Sequence, residues 1–100
     1  MPTLICYDIE SNALRAKLGQ KILEFRLERI NLSVYLGTLK NADLTKLEKL
    51  LHDLMKAKAG PDDSLIILAV TAAQVAQMQV LGRNDLDLDD LTGDRHTLIL

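Results

Sequence analysis

The run Leu4-Ile5-Cys6-Tyr7-Asp8-Ile9 carries a single charge, Asp8, and leads directly to the helix-start residues Ser11 and Asn12. An apolar, β-branched run of this length reads as a buried strand. A carboxylate inside it is costly unless it is hydrogen-bonded, paired or bound to a cation. Either the strand opens to solvent at Asp8, or something positive sits there. In the local reading, its oxygens accept backbone N–H groups at the start of the following helix. In the chemical reading, it holds a metal ion. A second candidate set is basic: Arg15, Lys17, Lys21, Arg26 and Arg29 fall within one short stretch. They could hold nucleic-acid backbone phosphates, with salt-sensitive and weakly sequence-specific binding, or be ordinary surface charges. The aromatic residues are Tyr7, Phe25 and Tyr35 alone, too few for a platform that stacks successive bases.

The other reactive side chains carry less. His52 falls within a helix and His96 in the tail, and no Ser/His/Asp nucleophile arrangement is present. Ser33 reads as a turn residue or backbone partner, and Cys6 as a small core residue. Asp85, Asp87 and Asp89 alternate as in a calcium loop. Asp90 stands where the sharp turn needs glycine, however, and His96 where the loop needs glutamate, so that loop is rejected.

The elements that must position these groups follow from periodicity. Residues 3–9 form the first strand. The helix after it has the stripe Leu14, Leu18, Ile22 and Phe25. Residues 27–39 are long for one strand and read as two short strands folding back near 31–33. Gly37 marks a bulge or a close approach of another backbone. A second helix spans about 41–59, with Leu44, Leu47, Leu51, Leu54 and Met55 buried, and Gly60-Pro61 stops it. Asp62-Asp63-Ser64 is a turn. Residues 65–70 are continuously apolar and predict a central strand covered on both faces. Residues 71–77 read as a short helix or a turn, and 77–81 as a last strand ended by Gly82. The order predicts an α+β, ferredoxin-like βαββαβ sandwich with an extra short strand. Two helices would cover one sheet face, and the other, still apolar, suggests a partner.

Length and composition agree with this plan. One hundred residues with 48% hydrophobic content suit one small domain. A chain of this size buries only roughly 60–70% of its unfolded surface, so dimerisation is a natural way to bury more. We assign residues 1–82 to the domain and 83–100 to an acidic tail with an apolar end expected to dock. Within the tail, Asp85-Leu86-Asp87-Leu88 alternates and reads as an edge strand, a partner-binding segment or a solvated stretch. The net charge of −2 hides a split between a basic residues 1–58 and an acidic remainder. The single cysteine allows no disulfide framework, no secretory signal is visible, and no apolar stretch is long enough to span a bilayer. A soluble cytoplasmic protein with no membrane partner is expected.

The strand ending in Tyr7-Asp8, then Leu14-Arg15-Ala16-Lys17, then Arg29-Ile30-Asn31-Leu32-Ser33-Val34-Tyr35-Leu36-Gly37, resembles the CRISPR-associated protein two family. The likeness continues through the second helix and Asp63-Ser64-Leu65-Ile66-Ile67, and so spans residues 1–82. The resemblance implies a ferredoxin-like homodimer and Mg²⁺- or Mn²⁺-dependent endonuclease activity on RNA or DNA. It also implies a scaffold that bridges the larger CRISPR integrase during spacer acquisition in antiviral defence. By position, Asp8 falls on the metal-site acid and Tyr7 on the aromatic before it. Arg15, Lys17, Arg29 and Tyr35 fall on positions linked to activity. Four residues depart from the family pattern. Asn31 replaces a frequent Gln, Tyr35 a frequent Phe and Lys17 an occasional Arg. Arg26 stands where glycine is common and suggests a different turn into the second strand.

Phosphodiester cleavage needs charge stabilisation and an activated water, which a bound divalent cation supplies. One Asp8 alone is a poor Mg²⁺ site, but two copies facing each other across a dimer two-fold make a plausible one. The alternatives are a non-catalytic bridge, and, more remotely, a toxin-like ribonuclease or a small regulatory domain.

Overall fold

Residues Pro2–Asp8 form the first strand, β1, and its alternation decides what lies on each side of the sheet. Thr3, Ile5 and Tyr7 are buried, Leu4 and Cys6 half-buried, and Asp8 exposed. The computed structural model describes residues 1–82. After β1 come α1 (Asn12–Glu24), β2 (Glu28–Asn31), β3 (Val34–Thr38), α2 (Asn41–Lys58), β4 (Ser64–Ala69) and α3 (Ala72–Gln77). The strands make one antiparallel sheet in the order β2-β3-β1-β4, the ferredoxin-like arrangement expected of the sequence.

α1 starts where Ser11 Oγ accepts from the Leu14 N–H at 3.2 Å. It buries Leu14, Leu18, Gly19 and Ile22, and α2 buries Leu47 and Leu51. These meet Ile5, Tyr7, Ile9, Leu27 and Tyr35 in the main core. Full burial of each such aliphatic side chain stabilises the fold by about 1.5–3 kcal/mol. At the end of α1, the N–H groups of Phe25 and Arg26 donate to Ile22 and Leu23 carbonyls at 3.2 and 2.9 Å. Arg26 then takes φ 69°. This is the left-handed turn that glycine favours, so the expectation of a different turn into the second strand is corrected. Gly37 answers to the close-approach alternative, since a Cβ there would lie 3.0 Å from Leu27 Cα. The register shift lies instead in β2, between Arg29 and Asn31.

Two sequence expectations fail on the other face. β4 is an edge strand, not a central one, and its outward residues Ile66 and Leu68 are 56% and 51% exposed. Its apolar continuity arises because Leu65 and Ile67 pack on the helix-side core while Ile66 and Leu68 form an open apolar surface. Residues 77–81 are not a strand. Gln77 closes α3, and the segment after it packs Met78 and Val80 against the sheet. α3 itself is set by a capping box: Thr71 Oγ1 accepts from the Gln74 N–H, and Gln74 Oε1 accepts from the Thr71 N–H. Ile30, Leu36, Val75 and Val80 make a second small core there, joined by Leu4, Val34 and Val70. The face that seemed bare is therefore partly covered by the chain's own residues 70–80. The tail residues 83–100, with the Asp85-Leu86-Asp87-Leu88 segment, His96 and the apolar end, lie outside the described residues. Among the described residues, no helix is long and apolar enough to cross a membrane.

Candidate functional site

Strand alternation sends Tyr7 and Asp8 to opposite faces at the end of β1. Tyr7 turns toward the helices, and its hydroxyl lies 3.0 Å from that of Tyr35. The two rings sit 5.9 Å apart at a tilt of 32°. A longer contact of 3.4 Å runs from Tyr7 Oη to the Arg15 carbonyl. Room for both hydroxyls exists because residue 19 of α1 has no side chain: a Cβ on Gly19 would lie 2.7 Å from Tyr35 Oη. Burial raises the Tyr7 pKa well above that of a free phenol. The hydrogen bond and charge interaction with Tyr35 raise it further, while Arg29 and Arg15 pull it down. Tyr7 therefore stays protonated near neutral pH and cannot serve as a base there.

Asp8 opens to solvent, which answers the question posed by the sequence. It does not take the helix N-terminus, because Ser11 is the cap. Among the described residues, none hydrogen-bonds the Asp8 carboxylate. The backbone just beyond it is held closely. Arg15 Nη1 donates to the Ile9 and Glu10 carbonyls at 2.6 and 3.1 Å. The Glu10 N–H donates to Asp63 Oδ1 at 3.0 Å, and the Gly60 N–H to Asp63 Oδ2 at 2.8 Å. These two bonds, that from Gly60 first, hold the Asp63 pKa below the usual carboxylate value. Ser33 is the backbone partner expected of it, its carbonyl accepting from the Tyr7 N–H at 3.1 Å.

A cleft of about 470 Å³ opens beside Asp8, and Tyr7, Arg15, Arg29, Tyr35, Asn12, Leu32 and Ser33 contribute to its lining. Five of the six candidate catalytic residues thus meet at one place. Lys17 is exposed on α1 outside that lining. Lys21 pairs with Glu24 at 3.6 Å. Arg26 follows the far end of α1, about 16 Å along the axis from Arg15 at about 1.5 Å rise per residue. It lines a separate hollow with Lys40 and Asp43. Two contributors, Gly19 and Asp63, escaped the sequence reading of the site. A glycine inside an otherwise helical stretch is a signal for the first. For the second, nothing local distinguishes a turn aspartate from one that reaches another loop.

The donors fit one class of metal. Among the described residues, no group of three or more His, Cys, Asp or Glu side chains could enclose an ion. Mg²⁺, and Mn²⁺ with similar oxygen preference, needs less, since it retains several waters and takes one or two protein carboxylates. Asp8, exposed and without a hydrogen-bond partner among the described residues, is one such carboxylate.

Known proteins place this geometry in context. No curated protein matches the chain. Among solved structures, it is similar to a hypothetical protein from Thermus thermophilus at 28% identity and a TM-score of 0.67, covering 85% of this chain and 94% of that one. It is also similar to Cas2 of Streptococcus pyogenes at 20% identity and a TM-score of 0.65, covering 82% and 100% of the two chains. The latter likeness speaks for the fold. The family model of CRISPR associated protein Cas2 matches residues 1–78, which include every strand and helix of the described residues and the whole cleft. On that match, the chain belongs to the CRISPR associated protein Cas2 family.

Proposed function

We propose that two copies of this chain pair through the open face of the sheet and that their Asp8 carboxylates together hold one Mg²⁺ or Mn²⁺ for cleavage of an RNA or DNA phosphodiester. In the same reading, the dimer bridges subunits of the CRISPR integrase during spacer acquisition. Membership of the Cas2 family supports a role in CRISPR adaptation. One observation carries the chemical part. Asp8 is exposed, without a hydrogen-bond partner among the described residues, and it shares the β1 face of Leu4 and Cys6, whose register partners are the exposed Leu68 and Ile66. A self-complementary contact over that apolar surface brings the same residues of both protomers to one seam.

When bound, the cation would supply charge stabilisation and a more acidic water. The chain's own groups do the rest. Asp8 would hold the ion, its exposed carboxylate supplying the oxygen ligands. Arg29 at the cleft and Lys17 beside it attract backbone phosphates. Arg15 lines the cleft but commits Nη1 to the loop carbonyls, so its first task is shape. Tyr7 and Tyr35 form a wall of the cleft. Lys21 and Arg26 extend the basic surface along α1 away from the cleft.

The test compares the parent and Asp8→Asn on single- and double-stranded substrates with Mg²⁺, Mn²⁺ or EDTA. Cleavage that needs the ion and disappears in Asp8→Asn supports the proposal. Equal cleavage by both proteins refutes it. Cleavage lost with spacer integration intact would assign the biological role to the bridge alone.

A further inference from the structure

We propose that Asp63 is a positioning residue for Asp8, acting through the backbone of Glu10. The consequence for metal binding rests on the proposed function, whereas the clamp itself does not. Between β1 and α1 lie only Ile9, Glu10 and Ser11. Both backbone polar groups of Glu10 are taken by charged side chains: its N–H by Asp63 and its carbonyl by Arg15. The Ile9 carbonyl is also taken by Arg15, and the Ile9 side chain is buried in the main core. Asp63 belongs to the turn before β4, which its second oxygen and its own N–H close onto Gly60. The next residue, Ser64, is the register partner of Asp8. Asp63 therefore joins the two chain segments just past the last rung of the β1–β4 ladder, where Asp8 sits.

An aspartate suits this position. Its two oxygens each accept one N–H, from two different segments. Asparagine offers one acceptor and would turn an NH₂ toward the other donor. Charge-assisted bonds of this kind are the stronger ones. Holding the backbone on one side of a metal-binding carboxylate limits the positions it samples and so favours binding in advance.

The experiment uses the full chain with Asp63→Ala, Asp63→Asn and Asp8→Asn, and three readouts: Glu10 amide exchange, the NMR order parameter of the Asp8 amide, and Mn²⁺ affinity. Asp63→Ala should speed Glu10 exchange about tenfold, the scale of one lost charge-assisted bond, lower the Asp8 order parameter, and weaken Mn²⁺ binding several-fold. Asp63→Asn, which keeps one acceptor, should change the same quantities less and serves if the alanine variant does not fold. Asp8→Asn should abolish Mn²⁺ binding and leave Glu10 exchange at the parental rate. An unchanged Asp8 order parameter in both Asp63 variants overturns the positioning role. Parental Mn²⁺ affinity in Asp8→Asn instead overturns the metal assignment, while the exchange and order-parameter data still decide the clamp.

Discussion

Replacing Gly19 by alanine sets two effects of known size against each other. In a helix interior, alanine is more favourable than glycine by about 0.5–1 kcal/mol. The new Cβ, however, would stand 2.7 Å from Tyr35 Oη. Tyr35 is only 3% exposed and its hydroxyl is bonded to Tyr7, so it has little room to retreat. Overpacking of this kind costs roughly 1–3 kcal/mol. Separating the hydroxyls leaves Tyr7 under-bonded, a further loss of about 1 kcal/mol. The clash outweighs the propensity gain, and Gly19→Ala should destabilise the domain by about 1–3 kcal/mol. Tyr35→Phe removes the offending oxygen, and the ring carbon behind it is 3.7 Å from the same Cβ, an ordinary contact. In that background, Gly19→Ala should be neutral or stabilising. Urea midpoints of the four proteins form a double-mutant cycle with an expected coupling of about 1–3 kcal/mol. A Gly19→Ala variant more stable than the parent, or the same effect in both backgrounds, would show that the Tyr35 hydroxyl does not oppose a side chain at residue 19.

Three other outcomes follow from single features. Arg26 holds a left-handed φ at the end of α1, so Arg26→Gly should stabilise by about 0.5–1 kcal/mol. A lower melting temperature would contradict this. Asp63 has a depressed pKa because it accepts two backbone N–H groups. The folded carboxyl thus holds its proton less tightly than the unfolded one. The stability this gives is full above the ordinary carboxylate pKa and is lost as pH falls through the depressed value. The stability difference between the parent and Asp63→Asn should therefore shrink on acidification, and a pH-independent difference would count against it. Ile66 and Leu68 are more than half exposed on the open face. The double substitution Ile66→Lys/Leu68→Lys should leave the fold intact and give a monomer by sedimentation, and a persistent dimer would move the interface elsewhere.

Much of the architecture is legible from local signals. Ser11, the Leu14-Leu18-Ile22 spacing and Gly60-Pro61 announce helices and their ends without tertiary information. The hairpin was readable from Asn31 and Ser33 within an over-long apolar stretch. The edge position of β4 is not legible from its residues, because an apolar run looks the same whether its outer face meets a helix layer or an open surface. Residues 77–81 read as a strand from sequence because Met78, Val80 and Leu81 carry apolar character without stating what they pack on. At the site, Asp8 stood out as the one charge in its strand, and the structure gathers Tyr7, Arg15, Arg29 and Tyr35 around it. The bond that Asp63 accepts from Glu10 across 53 residues of sequence and the clearance left by Gly19 depend on how separate elements dock, which neither residue type reveals.

In the proposed function, two Asp8 carboxylates share one cation. Mn²⁺ binding stoichiometry, measured on protein whose association state is fixed by sedimentation, tests it most directly. The expected result is one ion per two chains and none in Asp8→Asn. One ion per chain, or binding that Asp8→Asn leaves intact, would contradict it.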